Sequence, residues 1–427
     1  MTGNKETIVV VGGGFAGMNF IKHIDRDRYD VILVDRNNFH SFPPLFYQIA
    51  SSGLEPASIS FPFRREIRKM KIRPRFHMGE VKRLDIADKK IITQFETIHY
   101  DKLVIAAGTT NNFFNIEDLY KYVFTIKSTG QAIRCRNEIL DRLERASNST
   151  DPETRRRLLS FAVIGGGPTG VEVAGAIGEM KRYILHREYP AIKPEEMSIT
   201  LVEGSDRLLR TMSGTASRYA LKYLKSLYVD VHLQKTMKSY DDNVVTFTDG
   251  ATRYSELMVW TAGVTGETFE ITGGELHKGP GQRFIVDEYN RAEGYDDIFV
   301  IGDLALHTDD MYPHGCPQLA QVAIQQARTL ARNLNRGSME RRFEYNDKGS
   351  MATIGRNRAV ADLRHMHLTG FPAWFTWMFI HLISILGMRN KLVVLTNWIW
   401  AYFSYPTSLR LLIHPGRYPL RSRWGEK

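Results

Sequence analysis

Cysteine is scarce in this chain, which contains only Cys135 and Cys316 among its 427 residues. Two cysteines make neither the disulfide framework of a secreted domain nor a zinc-binding pattern, so we expect a reducing compartment and no metal site. The start of the chain also lacks a cleavable apolar segment, because Lys5 and Glu6 lead directly into TIVVVGGGFAG. We therefore expect the body of the protein to stay in the cytoplasm.

Net charge is missing from most of the chain and concentrated at its end. The formal charge is +10; residues 331–427 contain 15 Lys and Arg against 5 Asp and Glu, and the preceding residues contain 42 of each. The same segment contains five of the six tryptophans. Basic residues interleaved with tryptophan favour an anionic membrane surface. Nucleic acid is the competing interpretation, but no nucleic-acid motif is present.

Neither apolar run near the end has the form of a spanning helix, which needs about 20 apolar residues. The runs at 371–388 and 392–405 are separated by Arg389, Asn390 and Lys391, and the first contains a proline and a histidine. We predict a pair of helices lying in the membrane interface. A buried domain or a dimer interface is the alternative.

The first 330 residues predict two doubly wound α/β units. A strand at 7–11, a glycine turn at 12–17, a helix to His23 and a strand at 31–35 form a βαβ opening. The opening repeats at 161–175 and 199–204. Further strands are predicted within 103–108, 258–264 and 296–305, and a polar helix at 128–148. We predict two Rossmann-like folds in tandem, the second inserted into the first.

Both glycine turns carry the G-x-G-x-x-G pattern of a dinucleotide site. In the first, Gly12 allows the tight turn, Gly14 lets the backbone approach a pyrophosphate, and Gly17 lets the helix pack on the strand. Asp35, at the end of the second strand, is placed to accept hydrogen bonds from ribose hydroxyls. A tight strand–helix turn alone would explain the glycines, but not the strand, helix and acid together.

The second turn repeats this pattern with Gly165, Gly167 and Gly170, and Glu203 takes the position of Asp35. A carboxylate there repels a 2′-phosphate, so NADH is favoured over NADPH, although nearby arginines leave NADPH open. One chain with two such sites usually pairs a flavin with a nicotinamide. Glu172 is predicted on the first turn of the helix that follows the second glycine turn; it either stabilises the helix end or relays protons near the flavin.

Late in the chain, Gly302-Asp303 follows a strand and predicts a flavin contact, with an ordinary turn as the alternative. The segment CPQLAQVAIQQARTL predicts a helix that begins near Pro317 and points its positive end at the flavin. On that helix Gln318, Gln321 and Gln325 are predicted to share one face.

Together these residues resemble the type II, non-proton-pumping NADH:quinone oxidoreductases. The resemblance covers nearly the whole chain and rests on GGGFAG with VDRNNFHSFPPLFYQIAS, VIGGGPTGVEVAG, VWTAGV, FVIGDLA, AQVAIQQ, GSMATIGRNRAVADL and the tail ending NWIWAYFSY. It implies an FAD-binding domain at 1–116 and 288–345, an NADH-binding domain at 117–287 and a membrane-associated region at 346–427.

The resemblance also implies the site residues. FAD is expected at Gly12, Gly14, Phe15, Ala16, Gly17, Asp35, Arg36, Ala107, Gly108, Gly302, Asp303, Leu319 and Ala320. NADH is expected at Gly165, Gly167, Thr169, Gly170, Val171, Glu203, Ala262, Gly263 and Val264. A quinone is expected at Pro44, Tyr47, Gln48, Gln321 and Gln325, with Glu172, Gln321 and Gln325 as the catalytic side chains. Exposed glutamines and an ordinary packed loop are the alternatives for the quinone set, and Gln318 and Gln326 are expected to be solvated.

The resemblance further implies a peripheral protein on the cytoplasmic face of the inner membrane, attached through residues 366–427 and using ubiquinone or menaquinone. The sequence leaves the oligomeric state open, with a homodimer as one option. Ala107 stands where the family usually has threonine, and Thr109 is the substitute. Cys316 is not expected of the family. The rival functions are a sulfide:quinone oxidoreductase, which needs paired cysteines, and a membrane-docked FAD- and NADH-binding regulator without turnover.

Overall fold

The computed structural model of the protein describes residues 5–364, 366–404 and 410–412. Its α-helices, in chain order, are α1 (Phe15–His23), α2 (Phe46–Ala50), α3 (Phe63–Arg68), α4 (Leu119–Tyr122), α5 (Thr129–Asn148), α6 (Pro152–Leu158), α7 (Pro168–Glu179), α8 (Leu185–Glu188), α9 (Gly214–Ser226), α10 (Ala320–Arg336), α11 (Gly370–Ser384) and α12 (Met388–Ser404).

The strands are short and numerous. They are β1 (Glu6–Val11), β2 (Tyr29–Asp35), β3 (Phe39–Ser41), β4 (Ser60–Pro62), β5 (Arg75–Met78), β6 (Val81–Asp85), β7 (Lys90–Thr93), β8 (Thr97–His99), β9 (Lys102–Ile105), β10 (Thr109–Asn111), β11 (Ser160–Ile164), β12 (Ser198–Val202), β13 (Asp230–His232), β14 (Met237–Asp241), β15 (Val244–Phe247), β16 (Thr252–Tyr254), β17 (Leu257–Trp260), β18 (Val264–Gly266), β19 (Glu270–Thr272), β20 (Lys278–Gly279), β21 (Arg283–Ile285), β22 (Ile298–Val300), β23 (Ala305–Leu306), β24 (Ser350–Thr353), β25 (Ala359–Leu363) and β26 (Met366–Thr369).

The first unit is a parallel sheet with the strand order β22-β9-β1-β2-β5. Its central strand is buried on both faces, which is why it reads as the continuous apolar run TIVVV. Ile8 and Val10 face a core that contains residues of α1 and α10, whereas Val9 and Val11 face the small sheet of β6 and β7. The alternation of strand side chains thus covers both faces of the sheet.

The second unit repeats the arrangement with a parallel sheet in the order β13-β12-β11-β17. Helix α7 follows β11 as α1 follows β1, and the chain then returns through β12. Five-residue β11 is buried throughout. The α/β fold with two Rossmann-like units, the second inserted into the first, is confirmed because β22, from residues 298–300, pairs with β9 of the first sheet.

Pairing with the first unit resumes well before residue 288, where the sequence predicts the return. Strand β18 pairs with β10, β19 pairs with β6, and β21 pairs with β23. All three belong to the segment 264–285, inside the predicted NADH-binding domain. These pairings begin directly after β17, the last strand of the second sheet. The chain therefore returns to the first unit through short polar strands rather than through a long apolar run.

The C-terminal region consists of the antiparallel sheet β24-β25-β26 and the helices α11 and α12. The helices have 15 and 17 residues, and no helix in the described part of the chain is long and apolar enough to cross a membrane. The end of the second predicted apolar run, at 405, and most of the predicted attachment region beyond it lie outside the described residues.

Candidate functional site

The first glycine turn has the geometry of a dinucleotide cradle. A Cβ on Gly12 would lie 2.3 Å from the Ala106 carbonyl oxygen, and one on Gly17 would lie 1.9 Å from the Gly12 carbonyl oxygen. A Cβ on Gly14, in contrast, would meet no described atom within 4 Å. Two glycines are therefore required by close packing, and the third borders open space at the start of α1. That space fits a pyrophosphate approaching the helix N-terminus.

The second glycine turn shows the same division of roles. A Cβ on Gly165 would lie 2.9 Å from Ala262 Cα, and one on Gly170 would lie 1.8 Å from the Gly165 carbonyl oxygen. Gly167 borders open space among the described atoms, as Gly14 does. Gly12 and Gly165 also have φ values of 99° and 111°, which favour glycine.

The two strand-end acids hold the glycine turns in place. Asp35 Oδ2 accepts a hydrogen bond of 2.7 Å from the Gly13 N–H, and Glu203 Oε2 accepts one of 2.5 Å from the Gly166 N–H. Burial raises the pKa of Asp35, while the N–H donors oppose that shift. Each acid thus orders its glycine turn, a role that the sequence analysis did not foresee, and has further lone pairs that could accept from a ribose.

A cavity of about 370 Å³ opens beside the second turn. It is lined by Gly166, Gly167, Pro168, Glu203, Gly204, Ser205, Arg210, Thr211 and Thr236. Glu203 Oε1 also accepts hydrogen bonds from the Ser205 N–H at 2.7 Å and the Ser205 hydroxyl at 2.6 Å. The negative carboxylate is therefore fixed in the wall of this cavity, with Arg210 as its cationic neighbour. The space and its lining fit the adenosine half of a nicotinamide dinucleotide.

Asp303 lies at the buried edge of the first sheet with two cations nearby. Burial raises the pKa of its carboxyl, and Lys127 and Arg283 oppose that shift. Lys127 donates a 2.7 Å hydrogen bond to Thr109 Oγ1, and burial lowers its pKa. Lys127 is a candidate site residue that the sequence analysis did not identify, because it lies between the recognised motifs. Its position within the largely apolar stretch VFTIKS could have indicated it.

The helix that carries the glutamines begins later than predicted. Pro317 is not its first residue: α10 starts at Ala320, and Leu319 has extended backbone angles of −124° and 146°. The Leu319 N–H donates to the Pro317 carbonyl instead, which turns the chain before the helix. The start of α10 still lies next to the first glycine turn, since a Cβ on Gly302 would lie 3.1 Å from Ala16 Cβ and 3.6 Å from Ala323 Cβ.

The predictions for Gln318 and Gln326 were wrong because both side chains bind the Gly302-Asp303 turn. Gln318 precedes the helix, does not share the face of the other two, and donates a 3.0 Å hydrogen bond to the Asp303 carbonyl. Gln326 was expected in solvent but is buried, and its Oε1 accepts a 2.7 Å hydrogen bond from the Gly302 N–H. Both side chains fasten the Gly302-Asp303 turn to this segment.

Gln321 and Gln325 do lie on one helix face, and both are paired with the main chain of 346–349. Gln321 donates to the Gly349 carbonyl at 3.0 Å and accepts from the Lys348 N–H at 3.0 Å. Gln325 donates to the Asn346 carbonyl at 2.9 Å and accepts from the Asn346 N–H at 3.0 Å. The amides bind an extended segment as a neighbouring strand would, so they are half-buried rather than freely solvated.

Glu172 is buried in the second turn of α7, not in the first turn as the sequence analysis placed it. Burial raises the pKa of its carboxyl to about 8; a Thr353 N–H at 3.4 Å and the Trp377 indole oppose that shift. The Trp377 N–H lies near the carboxyl without reaching hydrogen-bond geometry, so its Nε1 has no hydrogen-bond partner among the described residues. A buried carboxyl that is largely protonated at neutral pH can donate a proton.

Tyr47 and Gln48 connect this carboxyl to the C-terminal helices. The Tyr47 hydroxyl accepts a 2.8 Å hydrogen bond from Gln48 Nε2, and Trp398 Nε1 of α12 donates a 2.9 Å hydrogen bond to Gln48 Oε1. The Tyr47 ring lies edge-on to Trp377 of α11 at 6.2 Å. Burial raises the pKa of Tyr47 well above its ordinary value, and the neighbouring Glu172 adds to the shift. Trp377 and Trp398 were not predicted, because only their apolar runs were considered.

The remaining predicted residues lie at the two glycine turns, after β17, before α2 and beside Glu267. Phe15, Ala16, Ala107 and Gly108 lie around the first glycine turn, and Thr169 and Val171 lie in the first turn of α7. Ala262 and Gly263 follow β17, with Val264 beginning β18, and Pro44 lies in the turn before α2. Arg36 is half exposed and forms a 3.0 Å salt bridge with Glu267, which follows β18. It therefore lies where the chain passes from the second unit back to the first.

The two cysteines lie in different hydrophobic clusters. Cys135, in α5, packs in the cluster of the second unit, whereas Cys316 packs with Val322, Phe343 and Tyr345. Both are buried and free, and burial raises their pKa values to about 12 and about 11. Such thiols are unreactive, so they do not form a redox pair at the candidate site.

Comparison with known proteins agrees with this geometry. The profile of the family described as pyridine nucleotide-disulphide oxidoreductase matches residues 6–327, and that of the NDH2 C-terminal domain matches residues 348–404. The type II NADH:quinone oxidoreductase Ndh of Mycobacterium tuberculosis is 31% identical over 423 residues, covering 94% of this chain and 89% of that protein.

Solved structures share the fold. The NDH2 of Plasmodium falciparum in complex with NADH superposes with a TM-score of 0.87 at 22% identity, covering 96% of this chain and 100% of that one. The sulfide:quinone oxidoreductase of Aquifex aeolicus gives a TM-score of 0.69 at 16% identity, with 96% of each chain covered.

Proposed function

The chain belongs to the pyridine nucleotide-disulphide oxidoreductases, among the type II NADH:quinone oxidoreductases, and from this premise we propose which of its residues carry each part of the reaction. It is an FAD-dependent enzyme with NADH as electron donor and a quinone as acceptor. When bound, FAD accepts a hydride from NADH and passes two electrons to the quinone. No ion-pumping step is part of this assignment.

The cofactor would be held by the first unit. The open space at Gly14 takes its pyrophosphate, Asp35 takes a ribose, and the turn at Gly302-Asp303 lies at the other end beside the start of α10. Lys127 and Arg283 balance the charge of Asp303 there. NADH would lie along the second unit, with its adenosine half in the cavity at Gly167 and Glu203 and its nicotinamide beside Ala262–Val264. We place the boundary between the units near residue 263, where β18 rejoins the first unit.

One observation carries the location of the quinone site: Glu172, Tyr47 and Gln48 meet Trp377 of α11 and Trp398 of α12 in one largely buried cluster. The cluster connects the nicotinamide-binding helix to the two apolar helices, so a lipid-soluble substrate arriving along those helices would reach the carboxyl. Glu172 would hold the proton that the reduced quinone requires, and its pKa of about 8 suits that task at neutral pH.

Gln321 and Gln325 would form the opposite wall of the quinone site. Because their amides are held at both ends by residues 346–349, they act from fixed positions. Gln325 Nε2 has a second N–H beyond its bond to the Asn346 carbonyl, which can donate to a quinone carbonyl. Pro44 lies in the turn that leads into α2, the helix that contains Tyr47.

We propose that α11 and α12 attach the protein to an anionic membrane, on its cytoplasmic side, and the exposed apolar surface of these helices supports the attachment. Phe371, Phe375 and Phe379 of α11 and Ile399 and Trp400 of α12 are more than half exposed. Large apolar side chains exposed along two helices mark an interaction surface. A second copy of the chain is the competing occupant, and the oligomeric state of the detergent-free protein distinguishes the two.

The experiment compares the two half-reactions in Gln48→Leu, a variant outside both dinucleotide sites. We expect flavin bleaching by NADH at the wild-type rate and slower reoxidation by a quinone in lipid vesicles. Equal rates of flavin reoxidation in Gln48→Leu and the wild-type protein would show that the cluster is not part of the quinone site. Failure of NADH to bleach the flavin in the wild-type protein would instead support the regulator without turnover. Wild-type activity in a Cys135→Ser/Cys316→Ser double variant would exclude the sulfide-oxidising rival.

A further inference from the structure

Three side chains with metal-binding atoms converge at a loop that the reaction does not use. The loop connects β23 to α10 and contains His307, Asp309 and Cys316, whose ligand atoms all lie within 4.8 Å of one another. His307 and Cys316 are buried, and Asp309 is about one-third exposed. The cysteine count alone predicted no metal site; the fold brings a histidine and an aspartate to the one cysteine the family resemblance left unexplained.

His307 has the orientation of a metal ligand. Its Nδ1 lies 3.3 Å from the Asp287 carbonyl oxygen, which can only accept, so Nδ1 carries the proton and Nε2 carries a lone pair. That Nε2 is buried and has no hydrogen-bond partner among the described residues, in a side chain that is 3% exposed. A buried lone pair without a donor is costly. Metal-binding histidines commonly donate their other ring nitrogen to a backbone carbonyl in this way.

The spacing fits one small divalent ion. His307 Nε2 lies 3.8 Å from Asp309 Oδ2. Ligands around a tetrahedral zinc ion at about 2.0–2.3 Å lie roughly 3.5 Å from one another. The 3.8 Å pair is close to that value, and the 4.8 Å limit leaves at most about 1.3 Å of closure. Asp309 is the partly exposed member of the three. Its side chain can therefore move to complete the site, and an ion can enter from its side.

Contacts within and around the loop hold the three side chains near one another. The Cys316 N–H donates to the His307 carbonyl at 2.9 Å, and the Tyr312 N–H donates to Asp309 Oδ1 at 2.7 Å. The Phe343 ring packs edge-on against the His307 ring at 5.0 Å. A preformed and partly dry site needs little ordering when it binds.

The charge of the surroundings is compatible with a divalent cation. Arg283 lies close enough to act on Cys316, and its guanidinium donates to the Cys316 and Ala305 carbonyls. Asp303 balances its charge. A thiolate and a carboxylate therefore remain to neutralise the ion, with the imidazole as a neutral ligand.

We propose that His307, Asp309 and Cys316 form a zinc site with a fourth position open to water. Mixed nitrogen, oxygen and sulfur donors suit Zn²⁺ and disfavour Mg²⁺ and Ca²⁺. On binding, the Cys316 thiol loses its proton to solvent, and the ion replaces it on sulfur. The site restrains the segment that leads to Leu319 at the start of α10, and that segment includes Gln318 bonded to the Asp303 carbonyl. The ion thus restricts the motion of the segment that leads into α10.

The test uses the FAD-loaded, chelator-treated protein and Co²⁺ as a spectroscopic probe for the zinc position. We expect one equivalent to produce the intense d–d bands of tetrahedral cobalt to the red of the flavin bands, and one equivalent of Zn²⁺ to abolish them. The thermal midpoint should rise with Zn²⁺. Cys135→Ser is the matched control, since that cysteine is buried in another cluster, and should behave as wild type.

The ligand variants separate this site from adventitious binding. Cys316→Ser should lose the bands, and Asp309→Asn, at the partly exposed position, should weaken Co²⁺ binding at least tenfold while keeping the flavin content. Only weak octahedral cobalt bands in the wild-type protein would overturn the proposal. Intense bands that persist in both variants would also overturn it. If Cys316→Ser does not bind FAD, Asp309→Asn decides alone.

Discussion

Replacing Glu172 by glutamine should change how the stability of the protein depends on pH. Burial raises the pKa of this carboxyl from 4.5 to about 8. The folded protein therefore holds the proton more tightly than the unfolded chain, and the stability contributed by the neutral carboxyl is lost as pH rises from 4.5 towards 8. Glutamine resembles the protonated form at every pH and can still accept from the Thr353 N–H.

The size of the effect follows from the shift. Each pKa unit corresponds to about 1.4 kcal/mol, so the full shift amounts to roughly 5 kcal/mol above pH 8. Between about pH 5 and about pH 9 the stability of Glu172→Gln relative to wild type should grow by roughly 4 kcal/mol. For cooperative unfolding of the whole chain this is a difference of about 4 °C in Tm, from about 2 cal/mol/K per residue.

The assay is thermal unfolding of the FAD-loaded proteins across that pH range. Glu293→Gln is the control, because Glu293 is exposed, and its offset from wild type should stay flat. A pH-independent offset for Glu172→Gln would refute the claim that this carboxyl is buried and protonated. In turnover, the same variant should slow quinone reduction more than flavin reduction, since it cannot release a proton.

Three further predictions concern the other parts of the site. Glu203→Gln removes the negative charge in the cavity wall, so the ratio of kcat/KM for NADH to that for NADPH should fall at least about tenfold; an unchanged ratio would leave the preference with other residues. Trp398→Phe removes the indole hydrogen bond, worth about 1 kcal/mol, and should raise KM for quinone about fivefold without changing the rate of flavin reduction; an equal loss in both half-reactions would indicate a purely structural role. Phe375→Ser with Phe379→Ser, at side chains 60% and 57% exposed, should weaken vesicle binding about 100-fold, whereas the similarly exposed Phe95→Ser should not.

The predictions that succeeded rest on local sequence rules. The glycine turns, the strands before them and the acids after them are required by close packing and by backbone angles within one βαβ unit, so a short motif predicts them. Ser128 caps α5 by accepting from the Gln131 N–H, which explains why that helix boundary was also predictable.

The features that the sequence did not predict depend on contacts between distant segments. Helix α10 begins later than predicted because Pro317 forms a turn before it. Gln326 is buried because it accepts a hydrogen bond from Gly302, 24 residues earlier in the chain. Gln321 and Gln325 pair with a strand-like segment that no helical spacing reveals. The link from Gln48 to Trp398 spans 350 residues and is visible only once the C-terminal helices pack against α2 and α7.

The most direct test of the enzyme assignment is an anaerobic double-mixing experiment with the FAD-loaded protein. One equivalent of NADH is added first while the flavin band is followed, and a soluble quinone is added next. The account predicts rapid bleaching by NADH and rapid recovery by the quinone. Bleaching that is slow, or that is not reversed by any quinone, would contradict it.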